Sequence, residues 1–169
     1  MKKSRLLLVV LIVLTMLITT SVAYASPPEQ RNFIAHLSGA AERPTPVDTD
    51  AGGLAVFHLS KDGTELRYKL IVTNIEGATQ AHIHCGSADV AGPVVAFLFG
   101  FDPAGVTVNG VLAEGTITAA NVIPRPDSPA CPGGVANFDE LLAKIRSGDA
   151  YVNVHTLVYP AGEIRGQIE

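Results

Sequence analysis

An all-β fold, an antiparallel and Greek-key-like sandwich or barrel of about eight strands with one short helix, is what this sequence predicts, and three observations point to it. Runs rich in branched residues alternate apolar and polar side chains with period two, as in Leu66, Tyr68, Leu70 and Val72 against Arg67, Lys69 and Thr73. Glycine-rich turns such as Lys61-Asp62-Gly63 separate the runs at short spacing. Only one stretch, from Asn137 to Gly148, carries a helical period.

Taken in order, residues 1–25 read as a cleaved export signal. Lys2, Lys3 and Arg5 form a basic start, Leu6 to Ile18 an apolar run, and Ala23-Tyr24-Ala25 a small-x-small cleavage site. The run is shorter than a membrane span needs, so no membrane insertion is expected once it is removed. Residues 26–31 are polar with two prolines and read as a flexible lead-in. One domain then occupies 32–169. Asn32 to Ser38 is a first strand, and the proline- and acid-containing Gly39 to Asp50 a loop.

Gly52 to Ser60 and Thr64 to Ile75 form a hairpin, and Glu76-Gly77 reads as a further turn before a strand from Ala78 to His84. Pro93 to Phe99 is an apolar, buried strand. Val106 to Thr118 supplies one or two more. Asn121 to Gly134 is a long loop with four prolines. In the helix, Asn137 is the N-cap, Glu140 its capping-box partner, Phe138, Leu141, Leu142 and Ile145 the apolar stripe, and Gly148 the stop. Tyr151 to Thr156 and Glu163 to Ile168 close the domain as a hairpin over Pro160-Ala161-Gly162.

Charge excludes one class of function. The signal holds three of the twelve basic residues and no acid, which leaves nine against sixteen and a net charge near −7. With no basic cluster to pair with phosphates, nucleic acid is not a partner. Both methionines lie in the signal, which removes the axial ligand usual in blue-copper carriers.

The chemistry concentrates in Gln80-Ala81-His82-Ile83-His84-Cys85-Gly86 and Tyr151-Val152-Asn153-Val154-His155-Thr156. Alternation sends Ala81, Ile83, Cys85, Val152 and Val154 to the core. His82, His84, Tyr151, Asn153 and His155 then lie on the outer face, joined by the polar residues Glu163, Arg165 and Gln167 of the last strand. Three neutral imidazoles on rigid strands are ligands for zinc or copper. The alternative is three surface histidines hydrogen-bonded to Asn153, Gln80 or Arg165. Asn153, Glu163 and Arg165 are candidate supporting residues behind the metal, and Asp89 or Glu163 a further ligand. Arg165 either steers an anion or pairs with Glu163. His36 and His58 read as structural. Cys85 and Cys131, in a chain bound for an oxidising compartment, read as a disulfide pinning the long loop beside the histidines; a thiolate ligand or reactive thiol is the alternative.

Several of these segments resemble the CHRD domain family: Leu37-Ser38-Gly39-Ala40, Ala51-Gly52-Gly53, Ala81 to Gly86, Gly92-Pro93-Val94-Val95, Tyr151 to Thr156, and Gly162-Glu163-Ile164-Arg165-Gly166-Gln167. The family is named from chordin, an extracellular growth-factor antagonist, and occurs also in exported microbial proteins. The resemblance spans 32–169 and implies a β-sandwich or barrel in an extracellular setting without an established catalytic activity. In outline, His-x-His on a strand, a nearby disulfide, a later histidine and a late arginine are similar also to copper/zinc superoxide dismutase. A bridging histidine and a fourth copper ligand are lacking here. The expectation is a secreted or periplasmic binding or structural module that holds copper or zinc at His82, His84 and His155, with a protein or glycan partner. A superoxide-dismutase-like copper oxidoreductase or a metal storage and delivery protein is the alternative.

Overall fold

The computed structural model describes residues 29–169, so the expected signal at 1–25 lies outside the described residues. Seven strands are present there: β1 (Asn32–Ser38), β2 (Gly52–Leu59), β3 (Leu66–Cys85), β4 (Val94–Phe99), β5 (Val106–Ile117), β6 (Ala150–Thr156) and β7 (Ile164–Gln167), with one helix, α1 (Phe138–Ser147). The sheet runs β2-β1-β7-β6-β3-β4. A further β2–β3 pairing closes it into a barrel, and β5 joins β3 from outside the ring.

The count falls one short of the expected eight because the runs 64–75 and 78–84 are a single strand. No turn forms at Glu76-Gly77. Instead β3 continues through an irregular stretch with Asn74 at φ 55° and Gly77 at φ 66°, where its register against β5 shifts twice. The left-handed residues bend the strand without ending it. Its first half pairs with β2 and β5, and its second half with β4 and β6. A single strand therefore serves both as a stave of the barrel and as the floor of the histidine face.

The barrel's seam is β1 against β7, where the ladder is short. Ser38 pairs with Arg165, and Ile34 exchanges two backbone hydrogen bonds with Glu169 at 2.9 and 2.8 Å. Gly166 permits this approach: a Cβ there would overlap the carbonyl oxygen of His36. The interior is apolar and filled by alternate residues of each strand, including Phe33, Phe57, Leu70, Ile83, Val152 and Ile164.

The helix packs Phe138, Leu141, Leu142 and Ile145 inward. Asn137 Oδ1 accepts from Glu140 N at 3.0 Å, and Gly148 closes the helix at φ 74°. The long 118–136 loop runs along the edge of β4, where Ile123 N donates to Val95 O at 2.8 Å and Arg125 Nε to Val94 O at 2.6 Å. The Cys85–Cys131 disulfide fastens its far end. In the described part of the expected lead-in, Glu29 pairs with Arg146 at 2.7 Å, and Arg31 donates twice to Leu59 O. No helix among the described residues is long and apolar enough to cross a membrane.

Candidate metal centre

Alternation along β3 and β6 brings the three histidines to one face. Ala81, Ile83 and Cys85 point into the core, as do Val152 and Val154. The opposite face carries Gln80, His82 and His84 of β3, with His155, Asn153 and Tyr151 directly across on β6. Arg165 of β7 lies across from Asn153, and Phe97 of β4 across from His82.

This face is not exposed, contrary to the expectation from the sequence. His82, His84 and His155 retain only 3%, 8% and 8% of their exposure, and Asn153, Arg165 and Glu163 are likewise buried. Neighbouring loops cover the face. The 86–92 loop lies over Arg165, Tyr151 and His84, and the turn after β6 supplies Pro160.

The hydrogen bonds fix the tautomers. His84 Nδ1 meets Gly92 O at 2.8 Å, and His155 Nδ1 meets Pro160 O at 3.0 Å. A carbonyl only accepts, so both histidines carry their proton on Nδ1 and present a lone pair at Nε2. His82 Nδ1 then donates to His155 Nε2 at 3.2 Å. The Nε2 atoms of His82 and His84 are buried and have no hydrogen-bond partner. The surface-histidine alternative required bonds to Asn153, Gln80 or Arg165, and none of these forms.

One ligand atom from each histidine falls within 4.8 Å of the others. Two nitrogens bound to one tetrahedral ion at about 2.0–2.1 Å lie roughly 3.3 Å apart, close to the 3.2 Å between His82 Nδ1 and His155 Nε2, so an ion there would replace that hydrogen bond and leave the His82 proton on Nε2. A ligand imidazole whose other N–H is anchored by a carbonyl is the usual arrangement behind a metal. The donors are all nitrogen, which suits zinc or copper and not the oxygen-seeking calcium or magnesium. The lone pairs are available at neutral pH. Burial is the main cause that pushes His82 down to about 3 and His84 down to about 4, and it lowers His155 as well.

A column of planar groups backs His84. Tyr151 stacks on it with centroids 4.8 Å apart and planes 9° from parallel, and the Arg165 guanidinium sits 3.5 Å over the other face of Tyr151. Gly92 N donates to the Tyr151 hydroxyl at 2.9 Å, so the same loop residue orients both rings. Any Cβ on Gly92 would overlap the carbonyl oxygen of Cys85, which is why the chain turns there on glycine.

The remaining sequence candidates separate. Arg165 does not pair with Glu163: it donates to Val90 O at 3.0 Å and Ser87 O at 2.7 Å. Those carbonyls face it because the loop folds down over β7. Glu163 accepts from Thr49 at 2.8 Å and is not among the clustered ligands. Asp89 stands in solvent, 3.9 Å from Arg43. Asn153 bonds the buried Glu42 and Ile164 O and touches no histidine by hydrogen bond. His58 is bound to Asn32 at 2.6 Å, and His36 is exposed on β1, away from the face.

Two participants carry no role in the sequence reading. Tyr151 shares the period-two face with Asn153 and His155, a signal that could have drawn it in. Glu42 sits in an aperiodic loop, where nothing marks a carboxyl for burial. Burial outweighs its hydrogen bond from Asn153 and raises it to about 7.

A family model described as CHRD domain matches residues 33–168. No curated protein and no solved structure matches the sequence.

Proposed function

Because the chain belongs to the CHRD domain family, we propose that it acts outside the cytoplasm, secreted or periplasmic, as a binding module. Its cargo or structural ion is one copper or zinc held by His82, His84 and His155. The observation that carries this reading is the set of three buried histidines with one ligand nitrogen apiece within 4.8 Å of the others. A buried acceptor left without a partner costs about 1–3 kcal/mol, and an ion in the cluster would satisfy the unpartnered Nε2 of His84. The Cys85–Cys131 disulfide supports an oxidising compartment.

A storage, delivery or binding role is favoured over a superoxide-dismutase-like oxidoreductase by the state of Arg165. Arg165 is 2% exposed and its guanidinium is occupied by two loop carbonyls, so it is not free to guide an anion.

Elemental analysis and titration with copper and zinc of the oxidised protein, beside the His82→Ala and His155→Ala variants, test the site. One equivalent in the wild type, lost in both variants, is the expected result. Folded wild-type protein that binds neither ion above background would overturn the metal reading and leave a protein or glycan partner as the object of search.

A further inference from the structure

Around the triad, the charges nearest the imidazoles are positive. The cations that reach His84 are Arg165, through the Tyr151 stack, and Arg125, whose Nε is bonded to the carbonyl of Val94. Val94 is the residue paired with His84 across β3 and β4. Among the described residues no carboxylate is hydrogen-bonded to any of the three imidazoles, and Glu42 and Asp89 act on Arg165 instead. The groups behind His84 and His155 are neutral carbonyls, where zinc sites often place a carboxylate. Glu42 is held off by Asn153, Glu163 by Thr49, and Asp89 stands in solvent.

A dication on three neutral nitrogens in this buried position would keep its full charge, with two guanidinium groups nearby and no carboxylate bound to its ligands. A monovalent ion halves the repulsion and lowers the desolvation cost, which scales with the square of the charge, by more than half. Building on the metal reading above, we infer that the site selects the lower charge and is built for Cu(I) in preference to Zn(II) and Cu(II), with Arg165 and Arg125 setting that preference. Ligand type alone would not decide it, since imidazole accepts zinc and both states of copper, and the divalent series ranks Cu(II) above Zn(II). Charge makes the distinction.

The test is competition against chromophoric chelators for each ion alone: Cu(I) kept reduced anaerobically with ascorbate, which spares the disulfide, then Cu(II), then Zn(II). The expected result is that Cu(I) binds at least about 100-fold more tightly than Cu(II), equivalent to raising the potential of the bound ion by about 120 mV at about 59 mV per tenfold. Arg165→Gln and Arg125→Gln should each reduce the Cu(I)/Cu(II) ratio by about tenfold. Arg165→Lys, which keeps the charge, should restore most of it. Wild-type protein that binds Cu(II) or Zn(II) as tightly as Cu(I) overturns the inference while leaving the triad a metal site. A ratio unchanged in both glutamine variants also overturns it. If none of the three ions binds, the failure lies in the metal reading itself, and the inference falls with it.

Discussion

Three imidazoles kept neutral inside the fold tie the stability of the metal-free protein to pH. For His82 and His84 the folded values, about 3 and about 4, lie below the unfolded 6.5. The unfolded chain therefore binds more protons between these limits. Their contribution is fully present above about pH 6.5 and is lost as pH falls toward the folded values; His155 acts in the same direction. Glu42 acts oppositely. Its folded value of about 7 exceeds the unfolded 4.5, so its contribution is full below pH 4.5 and is lost as pH rises through 7. Each group changes stability by at most about 1.4 kcal/mol per pH unit, so three histidines outweigh one carboxyl. Urea midpoints of the metal-free protein should fall between pH 6.5 and 5. Glu42→Gln keeps an acceptor for Asn153 and removes the opposing titration, so its midpoints should fall more steeply; equal slopes would show that Glu42 does not hold a proton in the fold. Period two in the sequence assigned the histidines, Tyr151 and Asn153 to one face. It could not assign their burial, because the cover comes from the 86–92 loop and the turn at Pro160, which have no periodicity to read.

Local sequence rules governed the elements where a single neighbour decides the conformation. The helix starts and stops where Asn137 and Gly148 require. Asn137→Ala should lower stability by about 1 kcal/mol, seen as a shifted urea midpoint with the slope unchanged. The strand β3 was legible only in halves. Glu76-Gly77 has the composition of a turn, but pairing with β5 and β6 on both sides of it holds the chain extended, and Asn74 and Gly77 absorb the conflict as a bend. The seam depends on absence of a side chain. Gly166→Ala would drive a methyl into the His36 carbonyl, forcing β1 and β7 apart at a cost of about 3 kcal/mol. Thermal unfolding compared with the same change at Gly63, where an added Cβ has open space but φ is +75°, would separate the clash from backbone strain.

At the scale of the molecule, the disulfide joins the core side of β3 to the far end of the long loop. It spans 46 residues, and opening it should destabilise the fold by about 4 kcal/mol in the chain-entropy account. Cys85 lies next to His84 in sequence and leads into the loop that supplies the Gly92 carbonyl. We expect the Cys85→Ala/Cys131→Ala protein to show both a lower melting temperature and weaker metal binding. A large drop in stability with unchanged affinity would mean that Arg165, Tyr151 and Gln167 hold the loop without the bridge. The pairing of the two cysteines was readable from compartment and count. That the bridge braces the cover of a buried polar face was not, since the partners of Arg165 are backbone carbonyls, which no residue type announces.

The order in which the chain is made adds a consequence for timing. His82 and His84 emerge together, but His155 follows His82 by 73 residues, and β7 comes after that. Contacts so distant in sequence form slowly and late. Until β6 docks there is only a pair of histidines on an unclosed sheet. An ion with three nitrogen ligands would thus be a mark of maturity, taken up by a finished barrel and withheld from a nascent one.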